Sequence, residues 1–352
     1  MSELESKNKG RETRRTWITD IKEHSKVEGD YLVQGKTLAH TRQGNPYLTV
    51  TLADRTGTLE ARLWERVEEL AAQFREGDIV TIAGQATTYR GQIQIQIHEL
   101  KKSTSSPDPT IFQEATHKDI SEMFSELKDL AHRIKDPDLR ALVDSFLLDH
   151  EFISQFKKAP AAKTFHHSYL GGLLEHTVSV CQMAVMISEH YPELDADLLL
   201  SGAILHDIGK IDELTFELTI EYSDRGRLLG HIVLGILMVE EKLKAIKDFP
   251  PELALRLRHL ILSHHGEFDF GSPKRPKFLE AFALHLIDDL DAKMNGLRRL
   301  LKDDRQEGSW TAFSTLFQRY LFKGDTAAEA KGKGMGMDGK QQGQGYLFPV
   351  DG

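Results

Sequence analysis

The spacing of apolar residues changes period once along the chain. Between residues 17 and 100 it is short. Tyr47-Leu-Thr-Val-Thr-Leu52 is apolar and β-branched, and Thr58-Leu-Glu-Ala-Arg-Leu63 alternates polar with apolar up to Trp64. Ile79-Val-Thr-Ile-Ala83 is another β-branched run, and Ile93-Gln-Ile-Gln-Ile97 alternates strictly. Turn residues separate the runs at Asp54–Gly57, Gly77-Asp78 and Gly91, and an amphipathic helix is predicted over Val67–Phe74. Four or five short strands with one helix between the third and fourth fit a small all-β, Greek-key barrel of OB type, with an SH3-like barrel as the competitor. Trp64 is expected in its core.

After a Ser/Pro/Lys-rich stretch, Lys101 to Thr110, the period becomes helical. Apolar clusters recur at Phe146, Leu147 and Ile153, at Leu170, Leu173, Leu174 and Val178, and over Leu198–Leu205, Ile232–Leu243, Leu253–Leu262 and Phe278–Leu290. Gly or Pro stands near each break. This predicts a barrel over 15–102, a linker over 103–112 and an all-α domain over 113–322, with helical pattern from Ile111 to Phe322. The last 30 residues hold eight glycines with Lys and Gln, so 323–352 is expected to be a disordered tail; its apolar end, Tyr346–Val350, is a candidate docking segment.

Charge sharpens this division. The 352 residues carry a formal −9, yet residues 1–102 are net +1 and the remainder is net −10. That balance argues against a protein that coats nucleic acid by bulk electrostatics. No apolar run is long enough to span a bilayer, and Met1–Arg15 lacks the apolar centre of a secretory signal. A single cysteine, Cys181, excludes an internal disulfide and fits a cytoplasmic location. At an apolar helical position it reads as core.

Ten of the 16 histidines fall between His166 and His285, inside the acidic part. His206-Asp207 ends the apolar run Leu198–Leu205, so two ionisable groups emerge from a helix built for the core. Gly209 is expected to stop that helix, with Lys210 beside the pair. His176 lies on the Leu173 face of its helix; His231 opens the run Ile232–Leu237; His264-His265 ends Leu260–Ser263 before Gly266; Asp288 interrupts another apolar helix. Buried groups of this kind must be paired or metal-bound. Imidazole with carboxylate suits Mn, Fe, Zn, Co or Ni, and one carboxylate can bridge two ions.

The motifs Gly171-Gly-Leu-Leu-Glu-His-Thr177, His206-Asp-Ile-Gly-Lys210, Gly230-His231, Ser263-His-His-Gly266 and Asp288-Asp-Leu-Asp291 resemble the HD phosphohydrolase superfamily, in its dinuclear branch. A barrel of OB type ahead of such a domain is similar to the YhaM-type 3′-5′ exoribonucleases, over about residues 15–320. The resemblance implies that His176, His206, Asp207 and Asp288 hold one metal, and that Asp207, His231, His264 and His265 hold the other. It implies two divalent transition-metal ions, manganese first, with cobalt, iron or nickel as alternatives. The implied substrate is single-stranded RNA, with single-stranded DNA as a second partner, degraded from the 3′ end to nucleoside monophosphates. A nucleotide or cyclic-dinucleotide phosphohydrolase with a regulatory barrel is one alternative reading. A non-catalytic single-strand-binding protein is another. Apolar helical surface leaves room for a homo-oligomer.

Other candidates have two readings each. Lys210 can neutralise a substrate phosphate or complement a helix dipole as a C-terminal cation. His167, next to His166, can orient substrate or a ligand. Arg225 and Arg227 are expected in a loop along a substrate path. Asp289 and Asp291 are expected to be solvated or to support ligands, and His190, His259 and His285 to be structural or exposed. In the barrel, Tyr47 and Tyr89 are candidates to stack bases, and Arg42 and Arg90, with Arg62 and Arg66 nearby, to track phosphates.

Overall fold

The computed structural model describes residues 15–324, apart from Arg42, Arg90, 104–107, Phe165, Arg305 and Glu307. The candidates Arg42 and Arg90, and the Gly-rich tail from residue 325 with Tyr346–Val350, lie outside the described residues.

Five strands close into a barrel: β1 (Lys26–His40), β2 (Pro46–Asp54), β3 (Gly57–Leu63), β4 (Ile79–Tyr89) and β5 (Gln92–Lys102). Their order is β1-β2-β3-β5-β4, with β1 pairing β4 to complete the ring. Only β3 and β5 run parallel, joined at Ala61↔Ile95 and Leu63↔Ile97. That closure is the OB arrangement. Alternate residues, Val27, Leu48, Val50, Leu52, Ala61, Leu63, Val80, Ile82, Ile95 and Ile97, fill the interior. Helix α1 (Val67–Ala71) sits between β3 and β4 and packs Val67 and Leu70 on that core. It ends three residues before Phe74, the expected limit. The 15-residue β1 was not named by any of the apolar runs, because Glu28, Gly29, Asp30 and Gln34 dilute its pattern and a register shift between Val33 and Gly35 breaks its alternation. Trp64 corrects an expectation: it is 43% exposed, just past the end of β3.

The linker expected over 103–112 ends with its last residue against the barrel. Asp108 caps a turn at Pro109–Ile111, and Phe112 is buried with Leu32, Ala53 and Ile79 of the barrel. Helices α2 (Ile120–Ala131), α3 (Pro137–Leu147), α4 (His150–Phe156), α5 (Gly172–His190), α6 (Ala196–Leu205), α7 (Lys210–Glu213), α8 (Asp224–Ala245), α9 (Pro251–Ser263) and α10 (Leu279–Asp303) follow. Asp119, Asp136, Asp149 and Asp195 each accept N–H bonds from the first turn of the helix they precede. Helix α6 is buried on every side from Leu198 to Leu205, hence its run of apolar and small residues, in which Ser201 returns its hydroxyl to the Asp197 carbonyl. Cys181 is buried in the same core.

The expected helical pattern to Phe322 is cut short. α10 ends at Asp303, where a polar run leading to Gly308 removes the apolar period. A compact unit begins at Asn295; within it Trp310 bridges to Phe322 and Ser314 to Arg319, making a small hairpin. Among the described residues no helix is long and apolar enough to cross a membrane.

Candidate active site

Seven side chains from five segments meet inside the helical core. His176 comes from the second turn of α5, His206 and Asp207 from the turn after α6, His231 from α8, His264 and His265 from the end of α9, and Asp288 from α10. Helix α8 runs through residues 224–245 with a break at Gly230 (φ 72°, ψ 159°). That left-handed residue, which favours glycine, turns His231 inward. Gly209 is helical in dihedral and so does not stop the helix by a left-handed turn. Its role is close approach: a Cβ there would lie 2.0 Å from the His231 carbonyl oxygen and 2.5 Å from the Gly235 nitrogen.

The donor atoms form two groups that share Asp207. His176 Nε2 lies 3.1 Å from Asp288 Oδ1, 3.2 Å from His206 Nε2 and 3.6 Å from Asp207 Oδ2. On the other side Asp207 Oδ1 is 3.5 Å from both His231 Nε2 and His264 Nε2, and His231 Nε2 is 3.3 Å from His265 Nε2. Donors about 2.0–2.2 Å from a common ion are separated by roughly 3–3.6 Å, so both groups have the spacing of a coordination shell. Among the described residues, His176/His206/Asp288 and His231/His264/His265 are compact ligand-type triads.

The outer nitrogens decide what faces inward. His206 Nδ1 donates to the Ala203 carbonyl, His264 Nδ1 to Ile261 and His265 Nδ1 to Phe270, at 2.8–2.9 Å. His176 Nδ1 faces Asp291 at 2.7 Å and His231 Nδ1 faces both Glu213 oxygens at 3.1 Å. A carbonyl or carboxylate only accepts, so each Nδ1 carries a proton and each ring turns its Nε2 to the centre; burial keeps His264 and His265 neutral, and there Nε2 offers a lone pair. The His264 lone pair meets the Asp207 carboxylate. Among the described residues, buried Asp207 Oδ1 and His264 Nε2 have no hydrogen-bond partner. A cation resolves that conflict, so the residues present fit divalent metal.

The titration pattern agrees. Burial alone would raise the Asp207 carboxyl, but the Lys210 charge and His206 hold it well below the usual range. Burial opposes charge on Asp288 also, yet His176 and His206 hold it down. Burial, helped by His264 and His231, pushes His265 down to about 3, leaving it neutral. His176 goes the other way: bonds to Asp288 and Asp291 outweigh burial and raise it to about 9.

The remaining candidates separate. Lys210 is buried, with Nζ 2.5 Å from Asp207 Oδ2, and it opens α7, so it is not a C-terminal dipole partner. His167 Nε2 bonds Asp291 Oδ2 at 2.9 Å and thereby supports His176. Asp289 is paired with Lys293 near the surface. Arg225 and Arg227 lie on helix α8, not in a loop, because Ser223 caps it there; Arg225 bonds Asp212. Two residues escaped the sequence reading. Glu213 fixes His231 but follows no motif spacing, and His166, whose ring is 5.4 Å from His176, was passed over beside His167.

The barrel brings its own group together. Tyr47 stacks on Trp64, centroids 4.9 Å apart, and the Arg62 guanidinium lies over both Tyr47 and Tyr89, at 5.8 and 5.2 Å. Trp64 and Tyr89 are exposed. Arg62 also pairs with Glu60 at 2.8 Å, and Arg66 with Glu69.

Comparison with known proteins matches both halves. Residues 17–102 match the model of an OB-fold nucleic acid binding domain and residues 173–293 that of the HD domain. The 3′-5′ exoribonuclease YhaM of Bacillus subtilis is 36% identical over 280 residues, covering 78% of this chain and 88% of that protein. The enzyme of the same name from Halalkalibacterium halodurans is 35% identical over 278 residues, covering 78% and 86%. With that identity over nearly the whole length of both relatives, and the same barrel and helical HD core in order, the chain belongs to the YhaM 3′-5′ exoribonuclease family.

Proposed function

We propose that this protein is a metal-dependent exoribonuclease that removes nucleoside monophosphates from the 3′ end of single-stranded RNA. The observation that carries the reading is the shared Asp207: one carboxylate faces two groups of inward imidazole nitrogens, with one oxygen toward each. His176, His206, Asp207 and Asp288 would hold one divalent ion and Asp207, His231, His264 and His265 the other. When bound, such a pair supplies an activated water and Lewis acidity on both sides of an in-line phosphoryl displacement. Manganese is the first candidate, and cobalt, iron and nickel suit the same donors.

The chain's own groups do the rest. Asp291 and Glu213 keep the His176 and His231 rings in one tautomer and orientation. Lys210 holds a cation against Asp207, where it would offset negative charge developing on a substrate phosphate as the P–O3′ bond breaks. His167 steadies Asp291 through Nε2. On the barrel, Tyr47, Trp64 and Tyr89 with Arg62 offer stacking faces beside a cation, the combination that holds single strands without sequence preference.

The test is turnover by metal-free and metal-reconstituted protein on 5′-labelled RNA, the matching DNA, cyclic dinucleotides and mononucleotides. A ladder shortening from the 3′ end, with monophosphate products and restoration by manganese, is expected. Turnover confined to cyclic dinucleotides or mononucleotides would replace this reading with the regulatory-barrel alternative.

A further inference from the structure

The loop after the second histidine pair has a composition that the ligand sites do not explain. Gly266 (φ 77°) turns the chain out of α9, and a single turn at Phe268–Phe270 is closed by Gly271 (φ 82°). Ser272 anchors the loop by donating to the Leu262 and Lys274 carbonyls. On this anchored base Phe268 is 59% and Phe270 63% exposed. An anchored loop could have buried one of two phenylalanines; it buries neither. Arg275 lies 5.0 Å over the Phe268 ring and pairs with Glu267 at 2.7 Å. Lys274, Arg275 and Lys277 put three cations within four residues, in the part of the chain that is net −10.

The loop is coupled to the site. The Phe270 carbonyl accepts the His265 Nδ1 proton at 2.9 Å. Of the ligand-type side chains, His176, His206 and His264 are fully enclosed, whereas His231, at 12%, and Asp288, at 13%, reach solvent. His231 Nε2 lies 3.3 Å from His265 Nε2, so a substrate entering at the His231 opening meets the residue that the phenylalanine loop holds.

We propose that Glu267–Lys277 is a subsite for the 3′-terminal nucleotide, its base stacking on Phe268 or Phe270 and its phosphates drawn by Lys274, Arg275 and Lys277. Stacking on an aromatic face is open to every base, which suits an enzyme working through any sequence. The proposal rests on the nuclease reading above and deepens it.

The probe is an RNA oligonucleotide with 2-aminopurine at its 3′ end and a non-hydrolysable terminal linkage, added to the metal-loaded protein. Stacking quenches its fluorescence without requiring turnover. The expected result is quenching by the wild type, loss of the quench in F268A/F270A with a roughly tenfold weaker Kd, and its return in F268Y/F270Y. Quenching that persists in F268A/F270A overturns the subsite. So does a change in sedimentation on removing the phenylalanines while the quench is kept, which would make this face a contact between copies of the chain. If the wild type quenches yet cuts no RNA, the subsite stands and the nuclease reading falls.

Discussion

Substituting Lys210 with methionine retains a straight side chain of similar length and removes only the charge. In the structure its Nζ sits 2.5 Å from Asp207 Oδ2, with 7% and 2% of the two side chains accessible. Removing one partner of so enclosed a pair strands the other and costs about 3–5 kcal/mol. Asp207 keeps His176, raised to about 9, at 3.6 Å as a residual partner, so we expect the lower end, about 3 kcal/mol, for metal-free protein. Divalent ions at the same carboxylate take over the neutralisation. The penalty should then shrink to about 1 kcal/mol or less once manganese is saturating. Urea unfolding reports this if followed by circular dichroism at 222 nm, because Trp17, Trp64 and Trp310 all lie outside the α2–α10 bundle. Equal destabilisation with and without metal, or none in the metal-free protein, would refute the assignment of Lys210 as the charge partner of Asp207.

Three further outcomes follow from the same geometry. Asp207→Ala should abolish hydrolysis and lower the metal content measured by atomic emission, while RNA retention in a gel-shift assay stays close to wild type. Loading the protein with metal at pH 7 should release about one proton, since His176 at about 9 must give one up to coordinate; affinity should fall close to tenfold for each pH unit below 9, and titration in buffers of different ionisation enthalpy reads both. Removing residues 1–102 should raise KM on long RNA and flatten its salt dependence, by roughly 1–3 kcal/mol for each base that stacked on the barrel, with little change on a dinucleotide; equal loss on both substrates would mean that the barrel instead supports the fold through Phe112.

The sequence was legible wherever one physical rule dominated. Period-2 alternation at Ile93–Ile97 and the uncharged, largely apolar run Leu198–Leu205 each dictate an element and its burial. The ligand-type residues stood out because ionisable groups interrupt apolar helices, a conflict visible without coordinates. What escaped depended on tertiary contact. Trp64 looks like core by composition, but it lies just beyond the last inward-facing residue of β3, Leu63, and stacks outside on Tyr47. Arg225 and Arg227 look like loop residues next to Gly226 and Gly230, yet Ser223 caps a helix that takes in Gly226 and runs to the break at Gly230. Glu213 meets His231 only because α7 folds back on α8, a pairing across 18 residues that no local pattern announces.

At Gly209 the turn that follows Asp207 touches the helix bearing His231 main chain to main chain. The spacing of the two donor groups is thus held at this point by a main-chain van der Waals contact. A single methyl at position 209 must drive α8 away by about 1 Å or more, a displacement comparable to half a metal–ligand bond. The width of one hydrogen atom at position 209 thus sets how far apart the two donor groups can stand.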